Sequence, residues 1–151
     1  MKNDGHYIPI GIGMPNHTHA VICFHNTGKT INSIAGNDKR FMAYDIVERL
    51  QKQNHHDTLL QIKGMVNNTQ KAINKQHEVF ESSFNWKDCG TEKIIEQKLN
   101  YMHWNPCKGV NKLVDSPEQY IHSSAKFYII GEQGIYSVTS YTELQDIELT
   151  K

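Results

Sequence analysis

The tightest constraint on this chain lies near its start. Tyr7 to Gly13 is an extended apolar run, Met14-Pro15-Asn16 has turn chemistry, and His17 to Phe24 resumes with β-branched and apolar residues. Residues 6–25 therefore read as a β-hairpin. Pro9 has no amide proton, which puts its strand at an edge or leaves one side unpaired there.

The middle section reads as helical. Lys39 to Gln53 places Ala43, Ile46, Val47 and Leu50 on one stripe with Arg49 and Lys52 opposite. Thr58 to Lys75 is a weaker helix, interrupted by Gly64 and by Asn67-Asn68-Thr69. Phe80, Ser82, Phe84 and Trp86 alternate with polar residues, which predicts a strand and a core position for Trp86. A further helix is expected from the Thr91 N-cap to Asn105, where Pro106 stops it. Ser116-Pro117-Glu118 looks like a helix start, and Phe127–Ile130 and Ile135–Val138 look like short strands. The sum is an α+β chain with an antiparallel sheet.

Length and composition narrow the classes. The chain has 151 residues, which suits one domain, 1–151, ending in an acidic extension over about 131–151. At 38% hydrophobic and 21% charged it has an ordinary globular composition, with no bilayer-spanning run, so no membrane partner is expected. Cys23, Cys89 and Cys107 are widely spaced and odd in number, which indicates neither a disulfide framework nor a zinc ribbon and makes a reducing cytoplasm the expected home. The formal charge is zero, yet residues 1–112 carry 14 basic against 10 acidic side chains and residues 113–151 carry 2 against 6. A basic body with an acidic tail does not exclude a polyanion partner.

Two small constellations carry chemistry. In His17-Thr18-His19 the two imidazoles share a strand face, with Cα atoms roughly 6.6 Å apart, a spacing at which both can bind one metal ion. Two ordinary hairpin histidines would look the same. In Tyr101-Met102-His103-Trp104-Asn105-Pro106, Tyr101 and Asn105 lie one helical turn apart, off the apolar stripe of Ile95, Leu99 and Met102. A packed tyrosine and an asparagine that closes a helix would also fit. His103, beside the tyrosine, reads either as a proton carrier or as a surface histidine. Taken together, two imidazoles and an amide oxygen can hold a divalent ion with open positions, and the tyrosine hydroxyl one turn away can attack phosphorus. A phenol with an ordinary pKa of about 10 needs nearby positive charge or a base to do so.

On these residues the chain resembles the HUH single-strand DNA transposases, in particular the REP-associated tyrosine transposases. Met14-Pro15-Asn16-His17-Thr18-His19 resembles their metal-binding strand, with Thr18 a semi-polar version of the middle residue. Tyr101 to Gly109 is similar to their catalytic helix, and Ser116 to Tyr120, Ser123-Ser124 and Phe127-Tyr128 are similar to the segment after that helix. The resemblance implies a ferredoxin-like antiparallel sheet with helices packed on it. It implies His17, His19 and Asn105 as metal ligands, Tyr101 as the single nucleophile, and Mg2+ or Mn2+ as the ion. The implied substrate is a single-stranded DNA hairpin, cleaved to a 5′-phosphotyrosine and a free 3′-hydroxyl. Family members have a strand and a helix ahead of the hairpin, so the chain reads as N-terminally short. Without them the sheet has an open edge, and three readings follow: a shortened gene, a homodimer in which a neighbour fills the edge, or a degenerate copy that folds poorly.

Arg40, Arg49 and Lys52, with Trp104 as a stacking surface, are the candidate DNA contacts; residues 38–75 hold seven basic and four acidic side chains. A solvated helix face would read alike. The competing function is a DNA-hairpin-binding remnant that no longer cleaves. A small metal-binding domain unrelated to DNA is a third.

Overall fold

A computed structural model describes residues 7–23, 28–72, 74–81, 85–110 and 112–144. In chain order its elements are β1 (Tyr7–Gly13), β2 (Thr18–Cys23), α1 (Ile31–Lys52), α2 (His56–Gly64), α3 (Asn68–Ala72), α4 (Glu92–His103) and α5 (Ala125–Ile130). Short 3-10 turns occupy Asn105–Cys107, Pro117–Gln119 and Tyr141–Leu144. The chain is α+β with a two-stranded antiparallel sheet. It divides into two compact units, one of residues up to Thr27 and from Lys87 onward, the other Gly28–Trp86.

The first unit is built on the hairpin. The register pairs Ile10 with Val21, Ile12 with His19 and Gly13 with Thr18, and shifts between Tyr7 and Ile10, at the irregularity where Pro9 sits. Met14 N–H bonds to His17 C=O at 2.8 Å and closes the turn. Ile10 and Ile12 are buried on one sheet face, where Met102 of α4 joins them and Val21, Ile95 and Leu99 pack around. That apolar stripe fixes the rotation of α4 on the hairpin.

The outer edge of β1, the strand that Pro9 was expected to place at an edge or leave unpaired on one side, is bonded along Pro9, Gly11 and Gly13. Gly13 donates to His122 C=O at 2.9 Å, so by strand alternation Gly11 and Pro9 also face outward. Gly13 C=O accepts from the Tyr120 hydroxyl, Gly11 N–H donates to Ser124 Oγ, and Gly11 C=O accepts from Ser124 N–H and the Tyr136 hydroxyl. Pro9 C=O accepts from the Tyr128 hydroxyl, and Pro9 has no N–H to satisfy. The same alternation turns Thr18, Ala20 and Ile22 of β2 away from β1, and among the described residues nothing bonds to their backbone groups on that side.

Several local expectations change. Phe127–Ile130 lies in helix α5, not a strand: four apolar residues cannot show a period, and Gly131 at φ +73° supplies the left-handed helix end. Ile135–Val138 is irregular because the Gln133 side chain takes both backbone groups of Val138, at 2.7 and 3.0 Å, in place of a strand partner. α4 starts at the expected Thr91 cap but ends at His103, with Asn105 opening a 3-10 turn around buried Pro106. Pro117 opens a 3-10 turn behind the Ser116–Gln119 capping box. Cys23, Cys89 and Cys107 are free thiols.

In the second unit, α1 begins eight residues before the expected Lys39, because Thr30 Oγ1 caps Ser33 N–H. Its Ala43, Ile46, Val47 and Leu50 stripe is half-buried. The expected helix from Thr58 splits into α2 and α3, since Asn67 and Gln70 bond reciprocally and start a new turn. Of the expected strand Phe80–Trp86, residues 82–84 lie outside the described residues, and Phe80, Glu81, Asn85 and Trp86 are not in a strand. Trp86 is 52% exposed, so it is not a core residue. No helix among the described residues is long and apolar enough to cross a membrane.

Candidate functional site

Cross-strand neighbours share a sheet face, so His19, opposite Ile12, points to the side where α4 packs. His17, two residues earlier, follows it. The two rings meet edge to face with centroids 4.8 Å apart. On α4 the buried stripe turns Tyr101 toward this pair, and the Tyr101 ring lies 5.7 Å from that of His19, again edge to face. One turn beyond α4, the Asn105 side-chain N–H reaches His17 Nε2 at 3.3 Å. The four residues picked from the sequence therefore converge, although 82 positions separate His19 from Tyr101.

Hydrogen bonding orients the His17 ring, and electrostatics favour a neutral His19. His17 Nδ1 bonds to Asn16 Oδ1 at 2.7 Å, which fixes the proton there and leaves Nε2 with a lone pair. Burial, then His17, then the Lys98 ammonium hold the His19 imidazole below its ordinary value. Each imidazole can thus present a lone pair, and the Asn105 carboxamide carries an oxygen besides the nitrogen it uses on His17. Among the described residues no group of three His, Cys, Asp or Glu side chains could hold a metal. A cation at this site would rest on His17, His19 and Asn105, a set that leaves positions open.

Tyr101 is 53% exposed, and the Lys108 ammonium lies 5.9 Å from its ring centroid. Trp104, 46% exposed at the end of α4, offers a flat apolar surface beside it. Behind Tyr101, His103 is buried and bonds through Nε2 to Ser124 Oγ at 2.9 Å. Burial pushes its imidazole down to about 4. His103 is therefore neither a surface residue nor a proton carrier for the site; its burial makes it a structural tie.

The other candidate DNA contacts belong to the second unit. Arg49 pairs with Asp45 at 2.8 Å, Lys52 pairs with Glu48, and the Arg40 guanidinium lies over the Phe41 ring. Two of these three cations are thus already matched one turn away on α1. In the first unit the Tyr120 hydroxyl is spent on Gly13 C=O, so that ring serves the fold. Sequence reading missed Lys98. The signal was there: Lys98, Tyr101 and Asn105 are spaced i, i+3, i+7, one face of one helix.

Comparison with protein-family models, with curated proteins and with solved structures found no match to this chain.

Proposed function

We propose that this chain is a metal-dependent tyrosine transposase that nicks and rejoins single-stranded DNA at a hairpin. The reading is carried by one observation: His17, His19, Tyr101 and Asn105 meet on one side of the β1–β2 hairpin and α4. We read that hairpin and helix as the site-bearing part of a ferredoxin-like sheet. Three free thiols fit a reducing cytoplasm.

His17, His19 and Asn105 would hold a divalent ion, magnesium or manganese, which when bound supplies Lewis-acid polarisation of the phosphodiester. The Tyr101 hydroxyl attacks phosphorus and loses its proton to solvent. The P–O bond to the 3′-oxygen breaks, and that oxygen takes up a proton. The strand's 5′-phosphate is left esterified to Tyr101, and the energy of the broken linkage is kept in the ester for rejoining. The exposure of Tyr101 suits a polymeric substrate that must approach from outside. Trp104 suits stacking of an unpaired base beside it.

Incubating a labelled hairpin-bearing strand with the protein and manganese tests this. A covalent adduct, lost in Tyr101→Phe and in the absence of the ion, is the expected result. DNA binding with no adduct would sink the enzymatic reading and leave a hairpin-binding remnant.

A further inference from the structure

We propose that Lys98 and Lys108 form a phosphate subsite that holds a backbone phosphate of single-stranded DNA against Tyr101. The inference deepens the transposase reading and rests on it for the identity of the polymer. The subsite itself is read from charge and placement.

Among the described residues, five of the chain's 16 basic side chains are spent on carboxylates. Arg49, Lys52, Lys75, Lys112 and Lys126 pair with Asp45, Glu48, Glu78, Asp115 and Glu132. Lys98 and Lys108 have no such pair among the described residues. For Lys98 the sequence makes a helical pair impossible, since Ile94, Ile95, Tyr101 and Met102 fill the positions three and four away. Lys98 is nevertheless half-buried, and its charge is felt at His19. An ammonium on a partly covered side chain, with no carboxylate partner among the described residues, is available to a visiting anion.

The positions suit a tetrahedral anion. The apolar stripe of α4 holds its rotation, so Lys98 rises on the Tyr101 face one turn before the phenol. Lys108 comes from the other direction, past the Asn105–Cys107 turn, with its ammonium over the Tyr101 ring. An anion brought to the phenol is flanked by two ammonium groups, and charge that develops on phosphoryl oxygens during attack falls between them. A phosphodiester satisfies both lysines with two oxygens. A repeating phosphate chain could also continue past Trp104.

The test is binding of a fluorescent twelve-nucleotide oligothymidylate to the full chain without metal, measured by anisotropy over a salt series. Lys98→Ala and Lys108→Ala are each expected to weaken binding about 5-fold at 0.1 M salt and to lower the log–log salt slope by about 0.7, the value for one phosphate contact on a single strand. Lys98→Arg should restore most of both. Lys126→Ala, whose ammonium sits on Glu132, is the control and should bind like the parent. If both alanine variants match Lys126→Ala in affinity and slope, the subsite is overturned even where the parent forms a Tyr101 adduct. If the slope falls as expected and the parent forms no adduct, the subsite stands and the transposase reading fails.

Discussion

His103 Nε2 and Ser124 Oγ lie 2.9 Å apart in the interior of the first unit and tie α4 to the outer edge of β1. Ser124 Oγ also accepts from Gly11 N–H at 3.1 Å, so one hydroxyl joins the nucleophile's helix to the histidine hairpin. The second ring nitrogen, His103 Nδ1, is buried without a partner among the described residues. Removing the hydroxyl in Ser124→Ala would strand two buried groups, Gly11 N–H and His103 Nε2. The expected cost is about 3 kcal/mol, at about 1–3 kcal/mol for each unpaired group. Denaturant unfolding checks it: the midpoint should fall with the slope unchanged.

The tyrosine hydroxyls along β1 are not equivalent. Tyr128 is the partner of Pro9 C=O and also accepts from Tyr141 N–H at 3.1 Å. Tyr136 shares Gly11 C=O with Ser124 N–H, so that carbonyl keeps a partner without it. Tyr128→Phe should therefore cost about 1–2 kcal/mol and Tyr136→Phe less than about 1 kcal/mol. Unfolding curves of the two variants against the parent decide it. Equal losses would mean the carbonyl accounting is wrong.

The same phenols set an alkaline limit. Burial holds the Tyr128 and Tyr136 hydroxyls above their ordinary value. In the unfolded chain they ionise near about pH 10, while in the fold they stay protonated to higher pH. The stabilisation is therefore complete below about pH 10 and is lost as pH rises through the raised folded values. The melting temperature should drop across this window in the parent, and by a smaller amount in the double Phe variant.

How far the sequence could be read depended on how local each signal was. The hairpin, the Thr91 cap and the Ser116-Pro117 start are short-range devices, and each formed where expected. The candidate site residues were legible as two local pairs, His17 with His19 by the strand period and Tyr101 with Asn105 about one turn on, while the meeting of the two pairs was expected from the resemblance alone. Phe127–Ile130 misled because its helical state comes from packing of Tyr128 and the Gly131 end, neither of which shows in a four-residue run. Lys98 was passed over because a lysine's meaning depends on whether an acid meets it, and that becomes plain only beside the pairs made elsewhere.

The two strands of the hairpin should differ in amide exchange. Gly11 and Gly13 have outward N–H groups bonded to Ser124 and His122, whereas those of Thr18, Ala20 and Ile22 face away from β1 without a partner among the described residues. Hydrogen exchange followed by NMR should show the two glycines protected and the three β2 amides exchanging close to the unstructured rate. Protection of Ala20 at low protein concentration would mean that another segment covers β2. Protection that appears only as concentration rises would mean that a second copy does so.

Asn16 offers a way to test the metal reading without touching a ligand. Its Oδ1 accepts the His17 Nδ1 proton at 2.7 Å and so keeps the Nε2 lone pair available. Metal-bound histidines are held and made more basic by such a partner, and losing it commonly costs about 10–100-fold in affinity. This bond is exposed, so the lower end applies. Asn16→Ala should weaken manganese binding about 10-fold. Asn16→Asp, whose carboxylate accepts the same proton more strongly, should bind at least as tightly as the parent. Asn105→Ala removes an oxygen donor and should weaken binding by a similar factor through a different route. Paramagnetic titration of manganese into the three variants reads all of these directly. Manganese affinity that ignores both Asn16 and Asn105 would place the ion away from His17 and His19.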